Sequence, residues 1–210
     1  MNYIVAADSE TGGLDPKTAD MLTFYMAFFD EEMKMVDELD LKLKPDNGRI
    51  PIVEAQALKV NKIDLQAHLA DPNTITYSEA KVKIITMMKK YLKKNGRWSN
   101  LFILGQNIQF DLEFIWEYLI PKSEWTTIMH HKTLDTMHYT EFLKRCGWFP
   151  STLGTLATVV DYLGLPNRDA HNAREDTLMC VDVYKALIDL MKSKKNNSGG
   201  QDIITLLEAE

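Results

Sequence analysis

The first apolar run of the chain ends in two closely spaced acids, Asp8 and Glu10. The pattern of residues 2–8 predicts a β-strand, in which successive side chains point to opposite faces, so Asp8 and Glu10 share a face and Ser9 lies on the other. Adjacent carboxylates repel each other, and burying them without a counter-charge is costly. A divalent cation removes that cost, and oxygen ligands suit Mg²⁺ or Mn²⁺. The alternative is a strand end with two solvated acids before a glycine-rich turn.

Asp111 is the third acid whose position indicates a role in a site. It follows a short apolar strand at residues 101–105 and lies in the first turn of a helix predicted from about Gln109 to Leu119. Apolar residues three, four and seven positions later place Asp111 in line with the buried face of that helix, and these are Phe114, Ile115 and Tyr118. An acid at the N-terminal end of a buried stripe needs a partner at the edge of the sheet.

Asp176 repeats this arrangement near the end of the chain. Asn172 and Glu175 have the spacing of a capping box, which predicts a helix that begins near Ala173. Asp176 heads the apolar stripe of that helix, which consists of Met179, Cys180, Val183, Leu187 and Leu190. The alternative is an acid that complements the helix dipole, but that accounts for an exposed acid better than for one in line with the core.

His171 lies five residues before Asp176, at the start of the same helix. A single histidine in this position is commonly a surface residue or a hydrogen-bonded core residue. Beside four acids, its imidazole could instead take a proton from a water molecule that a metal ion has activated.

Three segments of the chain resemble, in order and spacing, the motifs of the DEDDh, or DnaQ-like, 3′–5′ exonuclease family. They are Asp8-Ser-Glu10-Thr, Asn107-Ile-Gln-Phe110-Asp111 and His171-Asn-Ala-Arg-Glu-Asp176. The resemblance covers roughly residues 1–192. A sibling subclass has a tyrosine four residues before the last acid, where this chain has Asn172, so the histidine subclass is favoured.

The resemblance implies an RNase H-like α/β fold, with a mixed sheet that has an antiparallel three-strand start, then parallel strands, and flanking helices. It also implies stepwise release of nucleoside 5′-monophosphates from the 3′ end of single-stranded nucleic acid, with DNA as the first candidate and RNA as the other. The four acids would hold two Mg²⁺ or Mn²⁺ ions, and His171 would be the general base. The alternative function is a non-catalytic module of the same fold that binds nucleic acid or recruits a polymerase.

The resemblance further implies contacts with the substrate nucleotide. Thr11 and Leu14 match residues that contact the terminal nucleotide, and Phe110 matches a residue near the terminal base. Asn61-Lys62 stands where the family often has His-Gly after a valine, and Asn61 is the candidate there for a contact with the terminal sugar. Asn107, in the central motif, completes the predicted substrate-binding residues. Plain core packing is the alternative for Leu14 and Phe110.

The elements that must position these residues follow from the apolar patterns. Strands are predicted at 2–8, 21–29, 39–44, 101–105 and 133–135, and the first three, joined by short turns, predict an antiparallel meander. Helices are predicted around 52–69, from Thr76 through Leu92, and at 109–119, 137–146, 152–163 and 173–192. Strands followed by alternating strands and helices indicate a mixed sheet flanked by helices. Asp135, at the end of the last strand, is interpreted as structural.

The helix that begins at Thr76 carries a row of lysines opposite its apolar stripe: Lys83, Lys89, Lys90, Lys93 and Lys94. Two interpretations of this row are a helix face exposed to solvent and a contact with nucleic acid, and the solvent-exposed face is favoured.

Composition limits the class of protein. The chain has 210 residues, of which 45% are hydrophobic, so it can bury one sizeable core. We expect an exonuclease domain at 1–192, followed at 193–210 by a flexible linker and a short apolar tail whose residues 201–210 could bind a protein partner or pack on the domain. The formal net charge of −6 argues against nucleic-acid binding by bulk electrostatics, so local contacts or metal ions are required.

Cysteine usage and the N-terminus indicate a location. Cys146 and Cys180 lie in apolar patterns, which predicts two buried thiols rather than a disulfide or a zinc site. The N-terminus has no basic region followed by an apolar core, and the longest apolar run, at 21–29, is too short to span a bilayer. The sequence therefore predicts a soluble, intracellular, cytoplasmic protein without a membrane partner.

Overall fold

A computed structural model describes residues 1–166, 168 and 171–197, with side chains described as far as Ser193. Within these residues the strands are β1 (Tyr3–Thr11), β2 (Met21–Phe29), β3 (Met35–Lys44), β4 (Thr74–Thr76), β5 (Lys94–Asn95), β6 (Trp98–Ser99), β7 (Leu101–Gly105) and β8 (Thr133–Asp135). The helices are α1 (Ala55–Asn61), α2 (Leu65–Ala70), α3 (Tyr77–Tyr91), α4 (Ile108–Phe114), α5 (Lys122–Ile128), α6 (Thr136–Arg145), α7 (Leu156–Tyr162) and α8 (Ala173–Asn197). A π-helical turn, Ile115–Leu119, continues α4.

The main sheet has six strands in the order β4-β3-β2-β1-β7-β8. β1 pairs antiparallel with β2, and β2 with β3, which confirms the predicted antiparallel start. β1 then pairs parallel with β7, and β7 with β8. The short β4 adds a parallel strand at the edge beside β3. The predicted fold class, a mixed sheet with helices on its faces, is confirmed.

The side chains of β2 point alternately into cores on the two faces of the sheet. Phe24 and Phe28 lie in the core that α3 and α4 cover, whereas Tyr25 and Ala27 lie in the core that α8 covers. Because both faces are covered, β2 is a continuous apolar run without polar alternation. This packing holds α4 and α8, the two helices that carry predicted site acids, against opposite faces of the sheet.

The turn after β1 is closed by backbone hydrogen bonds. The Gly12 N–H donates to the Asp20 carbonyl oxygen at 2.7 Å, and the Glu54 N–H donates to the Gly12 carbonyl oxygen at 2.6 Å. A Cβ at position 12 would lie 2.5 Å from the Ile52 carbonyl oxygen, so a larger residue would push the following loop away from β1. The glycine therefore lets the loop hold the end of β1 in place.

Asp20 is a fully buried acid that ties this turn to the loop before α1. Its carboxylate accepts hydrogen bonds from the Arg49 guanidinium at 2.6 and 2.8 Å and from the Ile52 N–H at 2.6 Å. The Tyr77 hydroxyl donates a further one at 3.2 Å. Burial alone raises the pKa of Asp20, but the hydrogen bonds from Arg49 and Ile52 outweigh it and hold that pKa below its ordinary value.

We expect Asp20→Asn to lower the free energy of unfolding by about 2–3 kcal/mol near neutral pH, because a charged acceptor of several hydrogen bonds is lost. Since the pKa of Asp20 is lower in the folded state, the wild type has this stability above roughly pH 4 and loses it as the pH falls through the folded pKa. Urea unfolding at neutral and at strongly acidic pH should therefore show a difference that shrinks in acid.

The matched control for this prediction is Asp15→Asn, which removes an exposed acid from the same turn and should change stability little. A difference between wild type and Asp20→Asn that is equally large at both pH values would contradict a contribution from the ionised carboxylate.

Three expectations from the sequence are corrected by the structure. Residues 193–197, predicted as the start of the linker, continue α8, since a helix already packed along its apolar face tolerates lysine, serine and asparagine. Cys146 is exposed rather than buried, because α6 ends at Arg145 and the following turn faces outward; Cys180 is buried as predicted. The helix predicted at 152–163 begins only at Leu156, after Thr155 caps it.

Several short elements were not predicted: β4, the β5–β6 hairpin and α5. The weak helical pattern around 52–69 is resolved as two short helices, α1 and α2. Among the described residues, no helix combines the length and the apolar character needed to cross a lipid bilayer. The predicted apolar tail at 201–210 lies outside the described residues.

Candidate metal centre and active site

Three of the four predicted acids meet at the carboxyl end of β1. Asp8 and Glu10 lie on one face of β1, and Asp176 lies in the first turn of α8, which packs against that strand. One carboxylate oxygen from each of the three lies within 4.8 Å of the other two. The alternation of β1 and the starting point of α8 therefore produce the predicted juxtaposition.

The starting point of α8 is fixed by Asn172. Its side-chain oxygen accepts hydrogen bonds from the N–H groups of Arg174 at 3.0 Å and Glu175 at 3.4 Å, which is the first half of the predicted capping box. The Glu175 carboxylate pairs with the guanidinium groups of Arg174 and Arg168, at 2.9 and 3.6 Å, rather than closing the box. The first turn of α8 is thus held so that its acid faces β1.

Asp111 lies beside this group of three acids, buried in the first turn of α4. The Ser9 hydroxyl, on the face of β1 opposite Asp8, donates a hydrogen bond to Asp111 at 2.6 Å. The predicted alignment with the buried face of the helix is confirmed, since Phe114 and Ile115 are both buried. The structure thus places the fourth acid against the cluster, and Ser9 holds it there.

All four acids have pKa values above their ordinary range. Burial raises the pKa of Asp8 well above its usual value, and the other three acids raise it further. Burial, followed by the charges of Asp176 and Asp111, raises the pKa of Glu10 to about 7. Burial also raises the pKa of Asp111 to about 7, against the hydrogen bond from Ser9, and it raises the pKa of Asp176.

Burial and mutual repulsion thus make the ionised forms of these acids unfavourable, and a positive charge among them would offset both effects. A divalent cation would supply that positive charge. One carboxylate oxygen from each of Asp8, Glu10 and Asp176 lies close enough to the other two for a single cation to be coordinated by all three. The donor set contains only carboxylate oxygens, which suits Mg²⁺ or Mn²⁺ better than a site of nitrogen and sulfur ligands would. The residues present therefore fit a metal centre.

His171 lies at the edge of the cluster with its side chain exposed. Its backbone has a φ of 71°, in the left-handed region, and its N–H donates to the Asp176 carboxylate at 3.1 Å. His171 and Glu10 line the same cavity, of about 440 Å³. The backbone of His171 is thus fixed to the cluster, while its imidazole is accessible to a molecule in the cavity.

Glu10 also lines a second cavity, of about 260 Å³. It is lined by four of the five predicted substrate-binding residues, which are Thr11, Leu14, Asn61 and Phe110. Leu14 is 81% exposed, so its predicted role as a contact residue is compatible with its position and core packing is not. Phe110 is partly buried and packs against Phe114, with ring centroids 5.1 Å apart.

Asn61 is buried, and its side chain is already hydrogen-bonded. Its amide nitrogen donates to the Thr11 carbonyl oxygen at 3.2 Å, and its oxygen accepts from the Ile63 N–H at 3.1 Å. Asn61 therefore positions the backbone at the end of β1. It lines both cavities, so it lies close to where a substrate would enter.

Asn107 does not line either of these cavities among the described residues. It caps α4 with a left-handed backbone, and its N–H donates to Asp135 at 3.0 Å. Asp135 also accepts from the N–H groups of Ile108 and Met137, so it caps two helices at once. The structural interpretation of Asp135 is confirmed, and Asn107 takes part in the same capping.

Sequence reasoning missed two residues of this region. Ser9 was placed on the face opposite Asp8 but without its hydrogen bond to Asp111, which joins residues 102 positions apart. Glu54 lines the second cavity. A Cβ at position 13 would lie only 2.7 Å from a carboxylate oxygen of Glu54, so the glycine permits this close approach. The Gly12-Gly13 pair is the only local signal for this close approach, and it does not identify the approaching residue.

Comparisons with known proteins give structural matches alone. No protein-family model matches the chain, and no curated protein sequence matches it. The zinc-bound complex of E. coli exonuclease I with single-stranded DNA matches with a TM-score of 0.69 and 19% identity, over 92% of this chain and 43% of that one. The complex of the same enzyme with a dT13 oligonucleotide gives 0.68 and 17%, over 94% and 42%.

A further complex of E. coli exonuclease I, with a dA16 oligonucleotide, matches with a TM-score of 0.67 and 18% identity, over 100% of this chain and 46% of that one. This chain therefore spans less than half the length of the exonuclease I chains that it matches. At these identities the likeness establishes the fold, which is the RNase H-like fold of exonuclease I.

Proposed function

We propose that this chain is a metal-dependent 3′–5′ exonuclease of the DEDDh type that acts on single-stranded nucleic acid. The observation that carries the proposal is the cluster of Asp8, Glu10 and Asp176, with Asp111 against it, at a cavity edge that also holds His171. Burial, and then mutual repulsion, raises the pKa values of Asp8 and Glu10, so their ionised forms are unfavourable in the folded protein and their presence is best accounted for by function.

Asp8, Glu10 and Asp176 would hold the metal ions, with Asp111 as a further ligand from α4. Two Mg²⁺ or Mn²⁺ ions, when bound, would supply the charge that activates water and stabilises the leaving 3′ oxygen of the phosphodiester. A cation between carboxylates and phosphate would also let a protein with a net charge of −6 bind a polyanion.

The chain's own residues would position the substrate and move the proton. His171 would accept the proton of the attacking water at its exposed imidazole, which its fixed backbone keeps beside Asp176. Leu14 and Phe110 line the cavity next to Glu10, where the terminal base would lie between apolar surfaces. The domain that does this would be residues 1–192.

Single-stranded DNA is the first candidate substrate. Its support comes from the exonuclease I structures of similar fold, which are complexes with single-stranded DNA and with dT13 and dA16 oligonucleotides. DNA and RNA differ at the 2′-OH, so direct comparison of the two sugars decides between them.

The proposal predicts a ladder of products that shorten from the 3′ end when 5′-labelled single-stranded DNA is incubated with the protein and Mg²⁺ or Mn²⁺. EDTA should abolish the ladder, because the carboxylates alone repel the phosphates. Parallel incubation with RNA of the same sequence shows whether the protein prefers deoxyribose or ribose in its substrate.

Cleavage that persists in EDTA, or that begins within the strand, would contradict a metal-dependent 3′–5′ exonuclease. Binding of both strands by folded protein without any cleavage would instead support the non-catalytic module.

A further inference from the structure

An aromatic and basic pocket lies at the end of the sheet opposite the acidic cluster. Its volume is about 610 Å³, and its walls come from the start of β1, the β5–β6 hairpin and the residues before β8. Since β1, β7 and β8 run parallel, their first residues share this edge of the sheet. Asn2, in the pocket, precedes Asp8 by six residues, which is about 20 Å along a strand. The pocket is therefore separate from the proposed active site.

A row of ring systems forms one side of this pocket. The ring centroids of Trp98 and His131 are 4.6 Å apart, those of His131 and His130 are 4.4 Å apart, and those of His130 and Phe102 are 4.1 Å apart. The Arg97 guanidinium lies 4.3 Å from the centre of the Trp98 ring. Trp98 is 43% exposed, so the row ends in a large, accessible indole. Because neighbouring rings cover parts of one another's faces, the surface left for a nucleobase to stack on is the exposed part of Trp98 and His131.

Positive charge is concentrated around these rings. Lys93, Lys94 and Lys132 line the pocket, and Arg97 lies beside Trp98. Among the ion pairs formed by the described residues, none includes any of these four cations. In a chain with a net charge of −6, four cations at one pocket that form no ion pair within the described part of the chain are complementary to a polyanion.

The two lysines of the hairpin segment belong to this pocket rather than to a helix face. α3 ends at Tyr91, so Lys93 and Lys94 lie beyond the helix to which the sequence pattern assigned them. The Lys93 N–H donates to the Asn100 side chain at 2.5 Å, which fixes the segment at the start of β7. The pocket is thus built on the sheet edge by defined contacts.

We propose that this pocket, which we call the stacking pocket, binds a segment of single-stranded nucleic acid. Exposed bases would stack on Trp98 and the adjoining histidine rings, and the phosphates would contact the four cations. The bases of a duplex are paired and stacked on each other, so the site should discriminate against double strands. DNA and RNA share the chemistry of this recognition, since it uses base faces and phosphates.

The test is equilibrium binding of labelled oligothymidylate and oligouridylate of about 12 nucleotides, a length within the usual range of single-strand sites. It is done in EDTA at low salt, where the acidic cluster repels phosphates and cleavage is absent. We expect Trp98→Ala to weaken binding of at least one of the two by about tenfold or more, and Trp98→Phe to retain most of it. A loss with both oligonucleotides is the result expected when base faces and phosphates alone are recognised, and a loss with only one shows that the sugar or the thymine methyl group also contributes.

The matched control is Trp148→Ala, which removes an indole of similar exposure, 44%, from the turn after α6. It should leave binding unchanged.

A second variant, Arg97→Gln with Lys132→Gln, removes two cations and should reduce the slope of log affinity against log salt by about 1.4, or about 0.7 per phosphate contact. Thermal melting of each variant establishes that it is folded.

Equal affinities of folded wild type and Trp98→Ala, an equal loss in Trp148→Ala, or equally effective competition by a duplex would each overturn the proposal. Because the measurement involves no cleavage, its failure would leave the proposed exonuclease activity standing. Conversely, a protein that shows no nuclease activity but binds the oligonucleotide through Trp98 would still support the proposed stacking pocket.

Discussion

Replacement of Asp8 by asparagine is expected to reduce the proposed nuclease activity by at least about 10³-fold and, in the absence of divalent ions, to raise the melting temperature. Activity falls because the pair Asp8 and Glu10 forms the face of β1 that would hold the metal ions, and a neutral amide replaces one anionic ligand. Stability rises because burial and three neighbouring acids raise the pKa of Asp8, so its ionised form is unfavourable in the folded state.

The opposite signs of the two effects make this prediction specific. Each pKa unit by which folding raises the pKa of an acid corresponds to about 1.4 kcal/mol of unfavourable free energy when the acid is ionised. We therefore expect Asp8→Asn to be more stable than the wild type in EDTA near neutral pH. Addition of Mg²⁺ should then stabilise the wild type more than the variant, since binding to the folded state alone stabilises it.

The matched control is Asp135→Asn, which changes a buried acid at the end of β8. That carboxylate accepts hydrogen bonds from three backbone N–H groups, so its replacement should lower the melting temperature with or without metal ions. If Asp8→Asn also lowered the melting temperature in EDTA, the unfavourable free energy of the ionised Asp8 carboxylate would not be its dominant contribution to stability.

Features of the site that depend on local rules could be predicted from the sequence. The shared face of Asp8 and Glu10 follows from the alternation of a strand. The burial of Phe114 behind Asp111 follows from helical periodicity. Each of these involves residues separated by a few positions, so a local pattern contains the information.

Features that depend on contacts between distant segments could not be predicted in this way. The hydrogen bond from Ser9 to Asp111 joins two elements whose distance is set by the pairing of β1 with β7. The close approach of Glu54 to Gly13 likewise depends on where the loop before α1 returns to the sheet. Cys146 is exposed because α6 ends at Arg145, and helix ends are weakly specified by composition.

The stacking pocket also depends on contacts between distant segments. The sequence pattern assigned Lys93 and Lys94 to a helix face, and it contained no signal that Trp98 and His131 would be neighbours. Their contact arises because the hairpin and the residues before β8 both lie at the N-terminal edge of parallel strands. A cluster of residues at a sheet edge is thus recognised only once the strand order is known.

Replacement of His171 by asparagine is expected to reduce kcat by about 10²–10⁴-fold, the usual contribution of a general base. Asparagine tolerates the left-handed backbone found at this position, where φ is 71°, so the N–H hydrogen bond to Asp176 should persist. Binding of metal ions and the melting temperature should therefore stay close to those of the wild type, and the loss should appear in kcat rather than in KM.

His171→Gly distinguishes a base from a residue that only shapes the loop. Glycine also accepts this backbone conformation, and it leaves space at the cavity that His171 lines with Glu10. Imidazole added to the buffer should restore part of the activity of His171→Gly, because it can occupy that space and accept the proton. His138→Asn, at an exposed histidine on α6, is the matched control and should have little effect. Full activity of both His171 variants would assign proton transfer to another group.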